Sequence, residues 1–291
     1  MSLSSAALDA FAEVARSGSF SSAARALLLT QSAVSQRVLN LERELGTSLL
    51  VRESSGLRLT AAGETLLRYC HSRAAMETEA LVGVRAQKNS ELSGTVRLAA
   101  YSSVLRSAVL PSLEKLVREN SSLGLEIRAA ELRDLPKLLK SGEVDYIVLD
   151  REESSGGLVA KPLGFEENVL VVGKRFQSKV PERYLDHDSE DTTTEGFFRL
   201  QDASKRPKKL ERLFLDDVYG ILDATRAGLG RAVLSKHLVA NDKDFGVVPG
   251  FKSLKRPVVL HFYEQPFYTR LHAAVVSALE AGMARHLEGK S

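Results

Sequence analysis

The chain has 291 residues, of which 44% are hydrophobic and 26% charged, and its formal net charge is +3. This is the composition of a globular protein with room for two or three domains, and it excludes a long disordered chain. A net charge this small does not by itself indicate a nucleic-acid partner.

Cys70 is the one cysteine of the sequence. It excludes an intramolecular disulfide and a Cys-rich metal site, so a reducing compartment is expected. The N-terminal sequence lacks a basic start followed by a long apolar run, and no stretch approaches ~18 uninterrupted apolar residues. We therefore expect a cytoplasmic protein with no membrane partner.

The first sixty residues predict three short helices. Apolar residues recur at helical spacing in two stretches, which are Leu8, Phe11, Ala12 and Ala15, then Phe20, Ala23, Ala24, Leu27 and Leu28. The second helix can be capped by Ser21 or Ser22. A third helix begins after Thr30, a candidate N-cap, and its apolar face consists of Val34, Val38, Leu41 and Leu45. One core shared by all three helices is expected.

Two short apolar runs, residues 49–51 and 57–59, then flank the turn ESSG and predict a β-hairpin, or wing. From residue 61 to about 88 the sequence has no proline and is rich in helix formers. Apolar residues at spacings of three and four in this stretch are Leu67, Cys70, Ala74, Leu81 and Val84. Because the helix is long, we interpret it as a dimerisation helix, and packing on its own domain is the alternative.

After a polar hinge at residues 86–96, strand-like and helical stretches alternate. The strand-like runs TVRLAAY, LGLEIRAAE and VDYIVLD are separated by the helical runs SAVLPSLEKLVREN and LRDLPKLLKSG. LVAKPLGFEENVLVVGKRF predicts two more strands, and strands are also expected at EGFFRL, KKLERLFLD, RAVLS, FGVVPGF and RPVVLHFYE, with a helix at DVYGILDATRAG. The pattern predicts βαβ units in two α/β lobes. The chain is expected to cross between the lobes near Arg175, to recross near its end, and to finish in a helix from about Tyr268 to His286.

The polar face of the third helix is the first functional signal. It carries Gln31, Ser32, Ser35, Gln36 and Arg37, side chains of the types that read base edges or bind phosphates in a major groove. No acidic residue occurs from position 31 to 41, whereas a solvated face commonly carries Glu and Lys pairs. Three helices followed by a wing are typical of a winged helix-turn-helix that binds double-stranded DNA. A helical interaction module is the alternative.

These residues also resemble a known family. SFSSAARALLLTQSAVSQRVLNLERELGTSLLVR, followed by LRLTAAGE, is similar to the DNA-binding domain of LysR-type transcriptional regulators, in which TQ(P/S)AVS, LE, LG, LF.R and LT.AG recur in this order. The motifs cover residues 5 to 65, and the remainder is similar in architecture. TQSAVSQR and LLVR resemble more closely the branch that senses lysine and arginine and controls export of basic amino acids. The chain departs from the common pattern at Ser32 and Ser235, where proline is frequent, and at Leu39, where a basic residue is frequent.

The resemblance implies an α/β multidomain protein. It implies an N-terminal winged helix-turn-helix at residues 1–60, a long linker helix and hinge at 61–90, and at 91–291 a two-lobed α/β effector domain resembling periplasmic binding proteins. Lobe I is assigned residues 91–174 and 268–291, and lobe II residues 175–267. A homodimer, usually a homotetramer, is implied on promoter DNA, with Arg52 and Arg58 of the wing on phosphates. RNA polymerase is a further expected partner.

A ligand cleft is expected between the lobes, because ligands of open α/β sheets bind beyond the carboxyl ends of the strands. Ser102 and Ser103 follow the first strand and can hold a carboxylate at the start of a helix. Glu131, Asp150 and Gln201 follow other predicted strands, and an acidic residue there favours an amine-bearing effector. Plain capping and solubility are the alternatives. We expect no cofactor, but a small-molecule co-inducer such as an amino acid.

Enzyme chemistry finds little support. The six histidines form no HExxH or His-x-His motif, and no G-x-S-x-G occurs, so neither a metal site nor a catalytic residue is predicted. AGLGRA follows a predicted helix, so Gly228 and Gly230 are interpreted as a helix stop and turn. Two rival interpretations are a small-molecule binding protein with a helical oligomerisation head and an α/β enzyme with a regulatory head.

Overall fold

The computed structural model describes residues 3–53, 56–84, 91–154 and 156–289. Its N-terminal part contains helices α1, α2 and α3 and an antiparallel hairpin of strands β1 and β2, with bounds Ser5–Ser17, Phe20–Ala26, Gln31–Leu45, Leu50–Glu53 and Gly56–Leu59. Residues 54 and 55 of the ESSG turn lie outside the described residues. Three helices followed by a wing were predicted, and this prediction is confirmed.

One apolar core joins the three helices. Phe11 of α1, Ala23 of α2, and Val34 and Val38 of α3 are buried in it. Thr30 caps α3 as predicted, because its Oγ1 accepts a hydrogen bond from Ala33 N at 3.1 Å. The polar face of α3 is thereby left on the outside of the domain.

Two local predictions are wrong. Helix α2 is capped by Ser19, whose Oγ accepts a hydrogen bond from Ser22 N at 3.4 Å, because α2 begins at Phe20 and not beyond the serine pair. Leu45 was predicted to anchor α3, but it is 36% exposed. The last turn of α3 rises off the core, so three apolar residues hold the helix and the fourth does not.

The predicted long helix is α4, Ala61–Val84, and the predicted residues beyond it, 85–88, lie outside the described residues. Leu67 and Cys70 are buried in the N-terminal core, so they do not belong to one continuous dimer stripe with Leu81 and Val84, which are exposed. The first half of α4 packs on its own domain, as the alternative interpretation expected.

The opposite side of α4 contacts the C-terminal region. The Arg68 guanidinium lies 4.4 Å from the centroid of the Tyr263 ring and donates to Lys140 O at 2.8 Å. Farther along, the Glu79 carboxylate accepts a hydrogen bond from Arg270 N at 3.2 Å. α4 therefore packs against both parts of the molecule.

Among the described residues from 91 onward, nine strands form one sheet. The strands β3 to β11 are Gly94–Ala100, Leu123–Ala129, Tyr146–Leu149, Leu158–Gly173, Tyr184–Asp186, Arg212–Phe214, Arg231–Ser235, Phe245–Val247 and Leu254–Tyr263. Their spatial order is β4-β3-β5-β11-β6-β9-β7-β8, and β10 pairs with β6. β3 is parallel to β4 and β5, and β7 is parallel to β8 and β9, as expected of βαβ units.

Helices cover both faces of the sheet. Helices α5 to α11 are Ser102–Val104, Leu110–Glu119, Leu135–Lys140, Thr193–Arg199, Val218–Arg226, Lys236–Val239 and Arg270–Leu287, and a π-helical turn, Leu105–Val109, joins the first two. In β3, Leu98 packs into the core that contains Leu279 of α11, whereas its neighbour Ala99 packs with Leu139 of α7 on the other face. This alternation is that of a strand buried on both sides.

β6 and β11 join the two lobes. The start of β6 pairs with β11, and its end pairs with β9 and β10 of lobe II. The stretch that was predicted to form two strands is thus one long strand, and the crossing lies within it, before Arg175. The prediction of a strand at EGFFRL is wrong, because these residues form α8. Phe197 and Phe198 of this helix pack into the lobe II core.

Candidate functional site

The first candidate site is the outer face of α3. Gln31, Ser32 and Gln36 are exposed, and Ser35 and Arg37 are half-buried at the edges of this face. Val34 and Val38 point inward on the same helix. All five predicted DNA-binding residues of the helix are therefore outside the core.

Hydrogen bonds hold several of these side chains in place. Ser21 Oγ donates to Gln31 Oε1 at 3.0 Å, which ties α2 to the start of α3. Gln36 Nε2 donates to Asn40 Oδ1 at 2.8 Å, one helical turn away. Side chains held in this way lose less conformational freedom when they bind a groove.

Glu42 fixes the wing to the same helix. Its Oε1 accepts hydrogen bonds from Leu49 N at 2.8 Å and Leu50 N at 3.3 Å, where β1 begins. In the sequence, Glu42 is the first acid after the acid-free stretch of residues 31–41. Its spacing of seven residues from Leu49 gives no sign of this role, because the bond depends on the turn between them.

The wing places its two arginines differently. Arg52 pairs with Leu57 across the hairpin, and Arg58 pairs with Val51. Directly paired residues point to one face and their strand neighbours to the other, so Arg52 and Arg58 lie on opposite faces of the ribbon. Arg52 lies 6.0 Å from the centroid of the Phe20 ring, at the start of α2.

Gly63 closes the wing onto α4. A Cβ at this position would lie 2.1 Å from Leu49 O, so only glycine fits. Thr60 Oγ1 donates to Ser48 O at 2.7 Å and accepts from Gly63 N at 3.0 Å. The LT.AG motif is thus the joint between wing and linker helix.

The second candidate site is a cavity of about 380 Å³ between the lobes. It lies at the carboxyl ends of β3, β4 and β5 of lobe I and of β7 and β9 of lobe II, with β6 at its floor. This is where an open α/β sheet binds ligands.

Four of the five predicted effector residues line this cavity, namely Ser102, Ser103, Glu131 and Asp150. Gln201 does not. Its Nε2 donates to Phe197 O and Lys252 O, both at 2.8 Å, and its Oε1 accepts from Lys252 N at 2.8 Å. Because the preceding residues form a helix and not a strand, the Gln201 amide is used to join α8 to the chain entering β11.

The acids that line the cavity have different partners. Asp150 Oδ2 accepts from Arg256 at 3.1 Å, and its other oxygen lies 3.3 Å from Arg151. Glu131 is half exposed and lies 3.6 Å from His187 Nε2. Asp150 is therefore charge-compensated within the protein, whereas Glu131 is in contact with water.

Glu166 of β6 is the acid that the sequence prediction missed. It is 4% exposed and lines the cavity. Burial tends to raise the pKa of its carboxyl, but hydrogen bonds from His237, Ser235 and Ser103, together with the electrostatic attraction of His237, outweigh burial and lower that pKa below its ordinary value. Glu166 is therefore a buried anion. Its signal in the sequence was the polar triplet EEN within an otherwise apolar strand.

Tyr101 contributes a hydroxyl to the same cluster. Its OH donates to Glu166 Oε2 at 3.3 Å. Burial, followed by the negative charge of Glu166, raises the pKa of this phenol well above its ordinary value. Tyr101 thus stays protonated and acts as a donor. The structure holds no group of three or more His, Cys, Asp or Glu that could bind a metal ion among the residues it describes.

A winged helix-turn-helix linked to a two-lobed sheet with a cleft defines a ligand-responsive DNA-binding protein. Residues 5–64 match the family model of bacterial regulatory helix-turn-helix proteins of the lysR family, and residues 89–284 match the LysR substrate binding domain. The chain belongs to the LysR family of transcriptional regulators.

Similar proteins agree with this assignment. The chain is 30% identical over 231 residues to the HTH-type transcriptional regulator HdfR of Yersinia enterocolitica, a match covering 78% of this chain and 76% of that protein. The crystal structure of ArgP from Mycobacterium tuberculosis matches with a TM-score of 0.80 and 25% identity, over 99% of this chain and 98% of that one. Full-length LysG from Corynebacterium glutamicum with bound effector Arg matches with a TM-score of 0.71 and 20% identity, over 96% and 98%.

The protein is accordingly a transcriptional regulator with a DNA-binding helix-turn-helix and an effector-binding domain, and it is not an enzyme. The predicted family, fold class and general function are confirmed, and the two rival interpretations are set aside. Within the described part of the chain, no helix combines the length and apolarity required to cross a bilayer.

Proposed function

We propose that this regulator binds promoter DNA as a dimer that assembles into a tetramer, in the cytoplasm. Each dimer would place its two α3 helices in successive major grooves of an interrupted palindrome. Gln31, Ser32, Ser35, Gln36 and Arg37 contact bases or phosphates in this proposal. The wing arginines contact phosphates, and RNA polymerase is a further partner at the promoter.

The main support for the proposed DNA contacts is that α3 has a buried apolar side and an exposed polar side. Val34, Val38 and Leu41 are buried in the domain core, and between residues 31 and 41 the outer face carries amides, hydroxyls and one guanidinium without an acid. The opposite placement of Arg52 and Arg58 supports contacts with two different phosphates, one on each side of the wing.

The exposed part of α4 supports the dimer. Tyr69, Met76, Leu81 and Val84 are large apolar residues exposed on this helix. Single exposed apolar residues are common on protein surfaces. Four of them on one helix favour contact with the corresponding helix of a second protomer.

The effector that we propose is an amino acid. Ser102 opens a helical segment at the cavity and is suited to a carboxylate, and acidic side chains line the same cavity and are suited to an amine. The structure of LysG from Corynebacterium glutamicum is described with Arg as its bound effector, which supports an amino acid of this size. Effector binding would shift the arrangement of the dimers and so the bend of the DNA.

Footprinting on the DNA upstream of the protein's own gene, with and without lysine or arginine, tests the proposal. We expect two protected half-sites about 10 base pairs or a multiple apart, and a footprint that changes with the ligand. We also expect affinity to fall steeply with salt, because phosphate contacts release counterions. Protection of a single half-site, or an affinity that is flat from low to moderate salt, would contradict the dimer or the phosphate contacts respectively.

A further inference from the structure

The Glu166 carboxylate receives hydrogen bonds from both lobes. From lobe I, Ser103 Oγ donates to its Oε1 at 3.1 Å and Tyr101 OH donates to its Oε2 at 3.3 Å. From lobe II, Ser235 Oγ donates to Oε1, and His237 Nε2 lies 3.2 Å from the same oxygen. Glu166 itself lies on β6, the strand that crosses between the lobes.

The donors to Glu166 include no lysine or arginine among the described residues. The imidazole of His237 is the one group that can carry a positive charge. Its Nδ1 is buried without a hydrogen-bond partner in this part of the chain. Because a carboxylate oxygen can only accept, the hydrogen bond to Oε1 places a proton on Nε2 of this ring. The other donors to Glu166 are the hydroxyls of Ser103, Ser235 and Tyr101, which carry no charge.

The other acids at the cavity are compensated or hydrated. Asp150 pairs with Arg256, Asp186 with Arg212, and Glu190 with Arg133. Asp186 also has a pKa raised above its ordinary value, mainly by burial. Among the described residues that line the cavity, Glu166 is the acid that combines near-complete burial with the lack of an arginine.

The two oxygens of Glu166 are unequally occupied. Oε1 accepts from Ser103, Ser235 and His237, whereas Oε2 accepts the single long bond from Tyr101. A carboxylate offers about four acceptor positions over its two oxygens, so the remaining capacity is at Oε2. An ammonium group has three donors and a positive charge, so it is suited to this carboxylate oxygen.

We propose that Glu166 binds the ammonium group of the effector through Oε2, with Ser235 and His237 as positioning residues. This inference rests on the proposed amino-acid effector and assigns the residue that recognises its amine. The sequence offered Asp150 and Glu131 for this role. In this proposal neither binds the amine, because Asp150 is paired with arginines and Glu131 is hydrated.

Binding of ligand pairs to the full-length chain tests this assignment. Calorimetric titration with each protein amino acid is compared with the 2-hydroxy acid that carries a hydroxyl in place of the α-ammonium, and lysine is also compared with norleucine. The variants are Glu166→Gln and, as a matched control, Glu167→Gln. Glu167 is the next residue on β6, pairs with Lys236 at 3.2 Å, and does not line the cavity.

We expect at least one amino acid to bind the wild-type chain and the Glu167→Gln variant equally, and to bind Glu166→Gln about tenfold or more weakly, as for a lost charge-assisted contact. Removing the corresponding amine from the ligand should cost a similar factor in the wild-type chain and little in Glu166→Gln. Should Glu166→Gln fail to fold, Ser235→Ala keeps the carboxylate, and the wild-type comparison of ligand pairs needs no variant.

Equal affinity of an amino acid for the wild-type chain and Glu166→Gln would overturn the assignment of Glu166 and leave the amino-acid effector standing. Binding that is lost in Ser102→Ala but not in Glu166→Gln would have the same meaning. If no amino acid binds the wild-type chain, the proposed effector class fails, and the assignment fails with it. Operator binding by the same protein sample tests the proposed DNA contacts independently of the effector.

Discussion

The residues proposed to function in the DNA-binding domain and in the interlobe cleft are distributed along the chain in opposite ways. In the first, the residues from Gln31 to Arg37 follow one another on a single helix. In the cleft, Ser103, Glu166 and Ser235 come from separate elements and meet because β6 passes from one lobe to the other. The difference teaches that a site on one helix can be predicted from the order of neighbouring residues. A site at strand ends can be predicted only when the pairing of the strands is known.

The largest effect is expected at α3. Replacing Gln36 and Arg37 together by alanine removes side chains that would each contribute about 1–3 kcal/mol to base recognition. We expect operator affinity to fall about 100-fold or more at fixed salt, measured by fluorescence anisotropy on a short duplex. Effector affinity, measured by calorimetry, should stay the same.

Lys115→Ala supplies the control for this double variant. Its side chain is 84% exposed on α6, far along the chain from α3, and its loss changes the net charge without touching the reading face. An equal loss of affinity in Lys115→Ala would mean that overall charge, and not the α3 face, governs binding.

Gly63→Ala should destabilise the DNA-binding domain and leave the cleft unchanged. The new Cβ would overlap Leu49 O, a backbone atom that cannot move without disturbing the wing. We expect about 2–3 kcal/mol of destabilisation of that domain, in the upper range for overpacking, seen as a lower unfolding midpoint. Gly156→Ala is the matched control, since a Cβ there meets nothing within 4 Å. A midpoint no lower than that of Gly156→Ala would show that the joint is adaptable.

A third prediction concerns the boundary between the two regions. Burial, and then the nearby Arg97, lower the pKa of His71 on α4 from 6.5 to about 4. The unfolded chain therefore takes up this proton first, so the stability contributed by neutral His71 is complete above pH 6.5 and is lost as pH falls toward 4. We expect His71→Gln to reduce the fall in unfolding free energy between pH 6.5 and 4.5 by about 1–2 kcal/mol, after discounting for partial exposure.

Denaturant unfolding of both proteins at each pH measures this difference, and the values at pH 7 serve as the reference. Parallel pH profiles for the wild-type chain and His71→Gln would contradict a depressed pKa at this histidine.

The smallest effect on binding is expected at Ser102. Loss of its hydroxyl removes one hydrogen bond to the proposed effector carboxylate. At about 1.5 kcal/mol, the lower end for a bond to a charged group, effector affinity should weaken about tenfold in Ser102→Ala. Ser112→Ala is the control, because that hydroxyl donates to Ala108 O in the preceding π-helical turn, at 2.7 Å, and does not line the cavity. A full effector response in Ser102→Ala would remove Ser102 from the site.

The sequence was sufficient for the α3 face because each relevant fact is local. Thr30 precedes a run whose apolar residues recur every three or four positions, and that spacing alone decides which side is outward. The same reasoning reached Ser102 and Asp150, since both directly follow a strand that the pattern identified. Residues next to a correctly predicted strand end could be assigned to the cleft.

Residues in other positions could not be assigned. Gln201 was misplaced because Phe197 and Phe198 have strand propensity, yet in lobe II they fill the core from a helix, so tertiary packing overrode the local preference. Glu166 lies in the middle of a strand, and its role depends on Ser235, which is distant in sequence and reaches it through the pairing of β6 with β9. No periodicity encodes that pairing.

Helix α4 has a mechanical consequence. Its 24 residues form a rod of about 36 Å, seated at Leu67 in the DNA-binding core and fastened at Glu79 to the first turn of α11 in lobe I. A helix held at two points about 18 Å apart transmits a tilt from one point to the other. In the proposed dimer, a change in the orientation of lobe I would therefore change the distance between the two α3 helices.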